Sequence, residues 1–232
     1  MMSAAFDRSV RRTVDFAYEA GIALQCGPIS SLKASSDFKR AARQSSSYSQ
    51  VYDVGAKNQD FNLMLKDHSF FQFTETTERE DIRLAYYPNP YSFIEYQNDR
   101  QTAESMLANG DITLQEFEQL ISEGNMTFDI PIIRYDLSTN QYCAKYHPAA
   151  HFHIGFKAEN RWPVNRVLSP FAFFLKIIFL YHSLTWKEKG EYEKESKIEN
   201  YFEEEYIREL ASCSQLDDDF FQETEARRLH FR

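Results

Sequence analysis

Three histidines lie close together in the segment Tyr-His-Pro-Ala-Ala-His-Phe-His-Ile-Gly: His147, His151 and His153. Side chains on a strand alternate between its two faces, so His151 and His153 are expected to point to one face and Phe152 to the other. His147 lies just before Pro148, at a turn from which its ring can approach the same place. The spacing therefore predicts a shared imidazole site.

Positive charge is concentrated around this segment, although the chain as a whole is acidic. Between positions 141 and 170, four basic residues (Lys145, Lys157, Arg161 and Arg166) oppose one acidic residue, Glu159. On the preceding predicted strand, Arg134 and Asp136 are two positions apart and so share a face. We expect these basic groups to favour an anionic ligand.

One hypothesis for this site is phosphodiester cleavage without a metal ion. An imidazole titrates near neutral pH, so one ring can take up a proton while another gives one. Guanidinium groups can bind phosphate and stabilise the charge that develops during transfer. The predicted acid–base pair is His151 and His153, with His147 assisting. The predicted phosphate-binding residues are Arg134, Arg161 and Arg166. This reaction requires no cofactor.

Two other interpretations remain open at this point. His147, His151 and His153 are suitable ligands for a divalent ion such as Zn, Fe or Mn. Alternatively the histidines are structural and bond to the backbone, to Asp136 or to Tyr146.

Composition limits the class of protein. Among 232 residues, 26 Lys and Arg stand against 35 Asp and Glu, a net charge of −9 that argues against general nucleic-acid binding but allows a local basic patch. Hydrophobic residues make up 43% of the chain, which is enough for a sizeable core. Three cysteines without a CxxC pair favour a reducing compartment. The start of the chain lacks a secretory-signal pattern, and the apolar stretch 171–181 is too short to cross a bilayer. We expect a cytoplasmic protein that does not engage a membrane.

The pattern of elements predicts one α+β domain over residues 1–232, with an antiparallel sheet of about six strands. Residues 1–47 contain an amphipathic helix at 4–25 and a Ser-rich segment. Residues 48–160 are mainly sheet with a two-helix insertion, and residues 169–228 form C-terminal helices. The predicted strands are 61–65, 69–74, 82–86, 128–136, 142–146 and 151–156. The predicted helices of the insertion and the C-terminal part are 100–107, 112–123, 169–183, 186–210 and 217–228.

Three segments resemble a known bacterial family. They are residues 61–73 (a strand, then Lys-Asp and Phe-Phe-Gln-Phe), 83–91 (ending Tyr-Tyr-Pro-Asn-Pro-Tyr) and 147–170 (His-Pro-x-x-His-Phe-His-Ile-Gly, Arg-Trp-Pro-Val, Ser-Pro). The family is domain of unknown function 2290, and the resemblance spans most of the chain. It implies no established activity. The Arg-Tyr-Asp segment at 134–136, followed by the histidines, also resembles some small toxins of toxin–antitoxin pairs.

Two functional hypotheses follow from the residues and the resemblances. The first is a bacterial defence-associated or toxin-like effector, a nuclease that uses the histidines and arginines on a nucleic-acid substrate. The second is a non-catalytic subunit of an antiviral defence complex that docks onto a partner such as an ATPase. High aromatic content, acidic C-terminal helices and the absence of a strong catalytic motif favour the second. In either case we expect the partner to be encoded in the same operon.

Overall fold

The computed structural model describes residues 4–76, 81–123 and 129–230. It has a mixed α/β fold with an N-terminal helix and a helical C-terminal part, as predicted. The strands are β1 (Ala23–Cys26), β2 (Leu63–Leu65), β3 (Phe70–Thr76), β4 (Asp81–Tyr87), β5 (Ile133–Leu137), β6 (Ala150–Ile154), β7 (Trp162–Pro163), β8 (Glu191–Lys194) and β9 (Lys197–Asn200). The helices are α1 (Ala4–Glu19), α2 (Ser36–Gln44), α3 (Tyr48–Lys57), α4 (Pro90–Asn109), α5 (Leu114–Glu123), α6 (Pro170–Tyr181), α7 (Ser183–Gly190), α8 (Tyr201–Ser212) and α9 (Glu223–His230).

The main sheet is an antiparallel meander in which strand order equals chain order, from β1 to β7. It has one strand more than the predicted six, because β1, at the end of the predicted helix 4–25, and β7 both join it while the predicted strand at 142–146 does not. β8 and β9 form a separate two-stranded hairpin. None of the helices in the described ranges is both long enough and apolar enough to span a membrane.

One face of the sheet is covered by helices α1 and α6. Alternate residues of the strands, such as Phe71, Leu84 and Tyr135, are fully buried there. The covering helix α6 is apolar nearly all round, and its start is fixed by Ser169, whose Oγ accepts a hydrogen bond from the backbone N–H of Ala172 at 3.1 Å. This is the core that supports the sheet.

The opposite face is covered over only part of its width. Near β3 and β4 a second apolar cluster packs under α2 and α3, and it includes Phe38, Tyr52, Phe70 and Tyr87. Towards β5 and β6 the same face carries polar side chains instead. We call these the polar half of the second face; they are Arg83, Arg134, Asp136, His151 and His153.

The prediction that the sheet region begins at residue 48 is wrong, because residues 48–57 form helix α3. The segment is rich in tyrosine and valine, which resemble a strand in composition, but it buries Val51, Tyr52 and Gly55 along one helical face. Gly55 is needed for this packing, since a Cβ there would lie 2.8 Å from the ring of Phe70.

The predicted single helix at 186–210 is also wrong, because the hairpin β8–β9 divides it into α7 and α8. The turn uses positive φ at Glu195 (50°) and Ser196 (63°), which a helix cannot contain. Asn200 then starts α8 by accepting from the backbone N–H of Glu203, and it donates to the carbonyl of Trp186.

The predicted strand at 142–146 and its hairpin at 138–140 are wrong as well. Residues 139–141 form a short 3₁₀ turn, and Cys143 and His147 close a tight turn through two mutual backbone hydrogen bonds of 2.8 Å. The segment was predicted as a strand because it has a tyrosine at each end, and aromatic residues are common in strands. The strand that pairs with β5 is therefore β6, which carries the histidines.

A candidate metal centre

Register between β5 and β6 brings the acidic and imidazole groups together. Asp136 pairs with His151 and Arg134 pairs with His153, so the four side chains lie on one face of two adjacent strands. The shared face of His151 and His153, predicted from their spacing, is confirmed. The shared face of Arg134 and Asp136 is confirmed too, but their neighbours are the histidines rather than residues 142–146.

The two imidazoles face each other through their Nε2 atoms, which are 3.0 Å apart. The carboxylate of Asp136 approaches the same point, with its Oδ2 3.6 Å from Nε2 of His153. One ligand atom from each of these three residues lies within 4.8 Å of the other two. Asp136, His151 and His153 are called the triad below.

Backbone contacts fix which ring nitrogens carry hydrogen. Nδ1 of His151 is 2.9 Å from the carbonyl oxygen of Pro148, and Nδ1 of His153 is 3.0 Å from that of Ala158. A carbonyl oxygen only accepts, so each Nδ1 must be the donor. In the neutral rings both Nε2 atoms are then unprotonated, and two lone pairs meet at 3.0 Å. Such a contact is stable only if a proton or a cation lies between them.

The distances fit a common metal ion. Zn–N bonds are about 2.0–2.1 Å, so two nitrogens on one ion, at an angle between 90° and the tetrahedral value, are about 2.8–3.4 Å apart. The observed 3.0 Å lies in that interval. A ligating histidine typically donates its other N–H to a carbonyl or carboxylate, as both rings do here. Two imidazoles and a carboxylate form a donor set for a divalent transition-metal ion.

Asp136 is held in its ionised form by two arginines. Arg83 from β4 and Arg134 each donate from Nε to one of its oxygens at 2.9 Å. Burial alone would raise the pKa of Asp136, but the charges of Arg83 and Arg134 outweigh it and hold that pKa below its ordinary value. Arg83 was missed in the sequence because only the β4–β5 register places it opposite Asp136.

Both imidazoles are buried, since His151 is only 1% exposed and His153 only 7% exposed. Burial lowers the pKa of His151 to about 4. Burial also lowers the pKa of His153, and the charge of Arg134 lowers it further. Two imidazoles that stay neutral at pH 7 are better suited to ligate a cation than to donate protons.

His147 approaches the triad as the sequence predicts. Its ring centroid is 5.0 Å from that of His151, in an edge-to-face arrangement. Its Nδ1 is buried and has no hydrogen-bond partner among the described residues. A buried donor or acceptor without a partner is costly, so a further ligand in the site would satisfy it.

The predicted phosphate-binding arginines have different positions. Arg134 borders the triad, and the charge of Arg161, an exposed side chain, also lowers the pKa of His153, which places Arg161 near the triad. Arg166 lies elsewhere: its guanidinium donates to the carbonyls of Leu210 and Cys213 at the end of α8. It lines an apolar cavity of about 280 Å³ on the other face of the sheet.

Comparisons with known proteins identify a family without an activity. A family model described as "Uncharacterized conserved protein (DUF2290)" matches residues 26–232, nearly the whole chain. No curated protein and no solved structure matches the chain.

Proposed function

The chain belongs to the uncharacterised DUF2290 family, and on this premise we propose that it is a metal-dependent phosphodiesterase that acts on nucleic acid. The observation that carries the proposal is the convergence of two unprotonated Nε2 atoms, 3.0 Å apart, on the carboxylate of Asp136. This arrangement favours a bound divalent ion over the metal-free acid–base pair, since both rings are buried and neutral.

Each residue of the triad has a defined role in this proposal. His151 and His153 would hold the ion through Nε2, since their Nδ1 atoms donate to backbone carbonyls. Asp136 supplies the negative ligand and is kept ionised by Arg83 and Arg134. A divalent ion bound here supplies Lewis acidity and lowers the pKa of a coordinated water.

The side chains around the triad favour an anionic substrate. The side chain of Arg83 is 61% exposed although its Nε donates to Asp136. Arg134 is also partly exposed, and Arg161 and Lys157 are exposed nearby in the loop after β6. Phosphate groups are the anions that such a set of guanidinium groups binds best. The overall charge of −9 is thus distributed away from this part of the surface.

The test is hydrolysis by purified protein after chelation and reloading with zinc, manganese or magnesium. We expect metal-dependent cleavage of bis-p-nitrophenyl phosphate and of oligonucleotides. His151→Gln, His153→Gln and Asp136→Asn should each reduce cleavage by at least about a hundredfold. The matched control is His182→Gln, which changes a partly buried histidine outside the triad that bonds to the hydroxyl of Tyr86. Cleavage that needs no metal, that survives in the triad variants, or that never occurs would contradict the proposal.

A specific observation also favours the second candidate function, an interaction subunit. Helices α4 and α5 form a hairpin that packs on α3 and leaves Leu114 and Leu120 exposed. Residues 90–123 carry seven acidic residues and a single basic one, Arg100. A basic partner surface with an apolar centre would fit this hairpin. Substituting Leu114 and Leu120 with Ser should abolish co-purification with the product of a neighbouring gene, and unchanged co-purification would exclude the hairpin as the contact.

The cellular setting remains a prediction. A role in bacterial defence or as a toxin, a cytoplasmic location and a partner from the same operon follow from the composition and the resemblances described above. Growth of cells that express the wild-type protein or the His151→Gln variant tests toxicity directly.

A further inference from the structure

Tyr146 is the most exposed of the large hydrophobic side chains in the described part of the chain, at 78%. It lies at the tip of the turn from Cys143 to His147. Its backbone N–H donates to the carbonyl of Cys143 at 3.0 Å, in addition to the two bonds between Cys143 and His147. A phenol ring held in water by an ordered turn contributes little to the packing of the fold.

The turn is anchored on its other side by the last helix. The hydroxyl of Tyr142 donates to Glu225 at 3.0 Å, and the ring of Tyr142 meets that of Phe220 at a centroid distance of 5.6 Å. Arg228 donates to the carbonyl of Ala144 at 3.3 Å. The backbone that presents Tyr146 is therefore restrained, so its aromatic ring is offered at a defined place.

That place borders the triad. Tyr146 directly precedes His147, whose ring is 5.0 Å from the ring of His151. Consecutive Cα atoms are about 3.8 Å apart, so the backbone that carries Tyr146 lies next to the residue whose ring meets the triad. The neighbouring Lys145 is exposed as well. An aromatic ring can stack on the base of a nucleotide, and a cation beside it can bind the phosphate.

We propose that the substrate is single-stranded nucleic acid and that one of its bases stacks on Tyr146 while the adjoining phosphate lies at the triad. This inference rests on the proposed function. Bases stacked in a duplex have no free face for a side chain, whereas an unpaired base can lie flat on an exposed ring. Lys145 and Arg161 then contact the backbone phosphates on either side.

The test is binding of fluorescently labelled oligonucleotides, measured by anisotropy in the presence of a chelator so that hydrolysis does not interfere. Tyr146→Ala should weaken binding of single-stranded RNA or DNA about tenfold, because one base–aromatic stack contributes on that order. Tyr146→Trp should restore binding. The matched control is Tyr18→Ala, which removes a 47% exposed tyrosine on α1, on the other side of the sheet. Separate RNA and DNA probes show which backbone is preferred.

Equal affinity of the wild type and Tyr146→Ala for single strands would overturn the inference, as would equal affinity of the wild type for single strands and duplexes or no binding of either. The proposed function fails separately: a protein that binds single strands through Tyr146 but cleaves none with any metal retains the stacking site and is not a phosphodiesterase. Circular dichroism of the variants, whose changes lie at the surface, verifies that they fold.

Discussion

Zinc is expected to raise the melting temperature of chelator-treated protein by about 5–11 °C. At a free zinc concentration of a hundred times the dissociation constant, a ligand that binds only the folded state stabilises it by about 2.7 kcal/mol. For a chain of this length, 232 residues, each kcal/mol corresponds to roughly 2–4 °C. The structure supports such a gain because the two Nε2 atoms already lie 3.0 Å apart, so little rearrangement is needed.

Variants separate this effect from nonspecific binding of zinc. His151→Gln and His153→Gln should each lose the increase, since one of three ligands is gone. His182→Gln should keep it, because His182 bonds to Tyr86 on the other face of the sheet. Differential scanning calorimetry at pH 7.5 gives the melting temperatures, and elemental analysis gives the metal bound per chain.

One result would refute the reasoning. If zinc leaves the melting temperature of the wild type unchanged, His151 and His153 do not form a metal site with Asp136. Elemental analysis would then find no bound metal, and the triad would be a structural polar cluster. An equal increase in His151→Gln would show that zinc binds elsewhere.

Three further predictions concern the fold around the triad. Ser169→Ala should lower the free energy of unfolding by about 1–2 kcal/mol, measured by urea denaturation, because its Oγ caps α6 and also donates to Glu209. Gly55→Ala should lower it by about 1–3 kcal/mol, because the new methyl group would lie 2.8 Å from the ring of Phe70. Burial lowers the pKa of His182, so the unfolded chain gains a proton first as the pH falls below about 6.5, and stability decreases there. His182→Gln should remove that part of the decrease between pH 7 and pH 5.

Each of these has a control and a contradicting outcome. Ser47→Ala changes a serine that begins α3 without a side-chain cap bond, so it should cost less than Ser169→Ala, and equal costs would contradict the capping argument. A Gly55→Ala protein as stable as the wild type would mean that α3 shifts freely. An unchanged pH profile in His182→Gln would show that His182 is not protonated on unfolding in that range.

The fold was predictable where one periodicity dominated a segment. Alternation of apolar side chains predicted the strands that contain β2 and β4, and Ser169 followed by Pro170 predicted the start of α6. Helix α3 was not predictable in this way, because its two tyrosines and two valines suit a strand equally well. Helical spacing alone also could not reveal the turn at Glu195 and Ser196, which depends on positive φ.

The candidate site was predictable only in its imidazoles. The two-residue period of a strand predicted that His151 and His153 share a face, and that Arg134 and Asp136 share one. It did not predict that the two pairs lie side by side. That neighbourhood depends on the register of β5 and β6, which local pattern does not determine once 142–146 is taken for a strand. The hydrogen-bond partners of the buried rings, the carbonyl oxygens of Pro148 and Ala158, are brought there by the tertiary structure and could not be read from the local pattern.

The meander has a consequence for the order in which the protein is made. Asp136 and His153 are near neighbours along the chain and belong to consecutive strands, so closing the loop between them costs little chain entropy. Because the chain leaves the ribosome N-terminus first, all three ligands emerge before α6, which begins at Pro170. An ion captured at that stage would clamp a hairpin that still lacks α6 on its other side. Metal supply would then influence the yield of folded chains during synthesis as well as the stability of the finished protein.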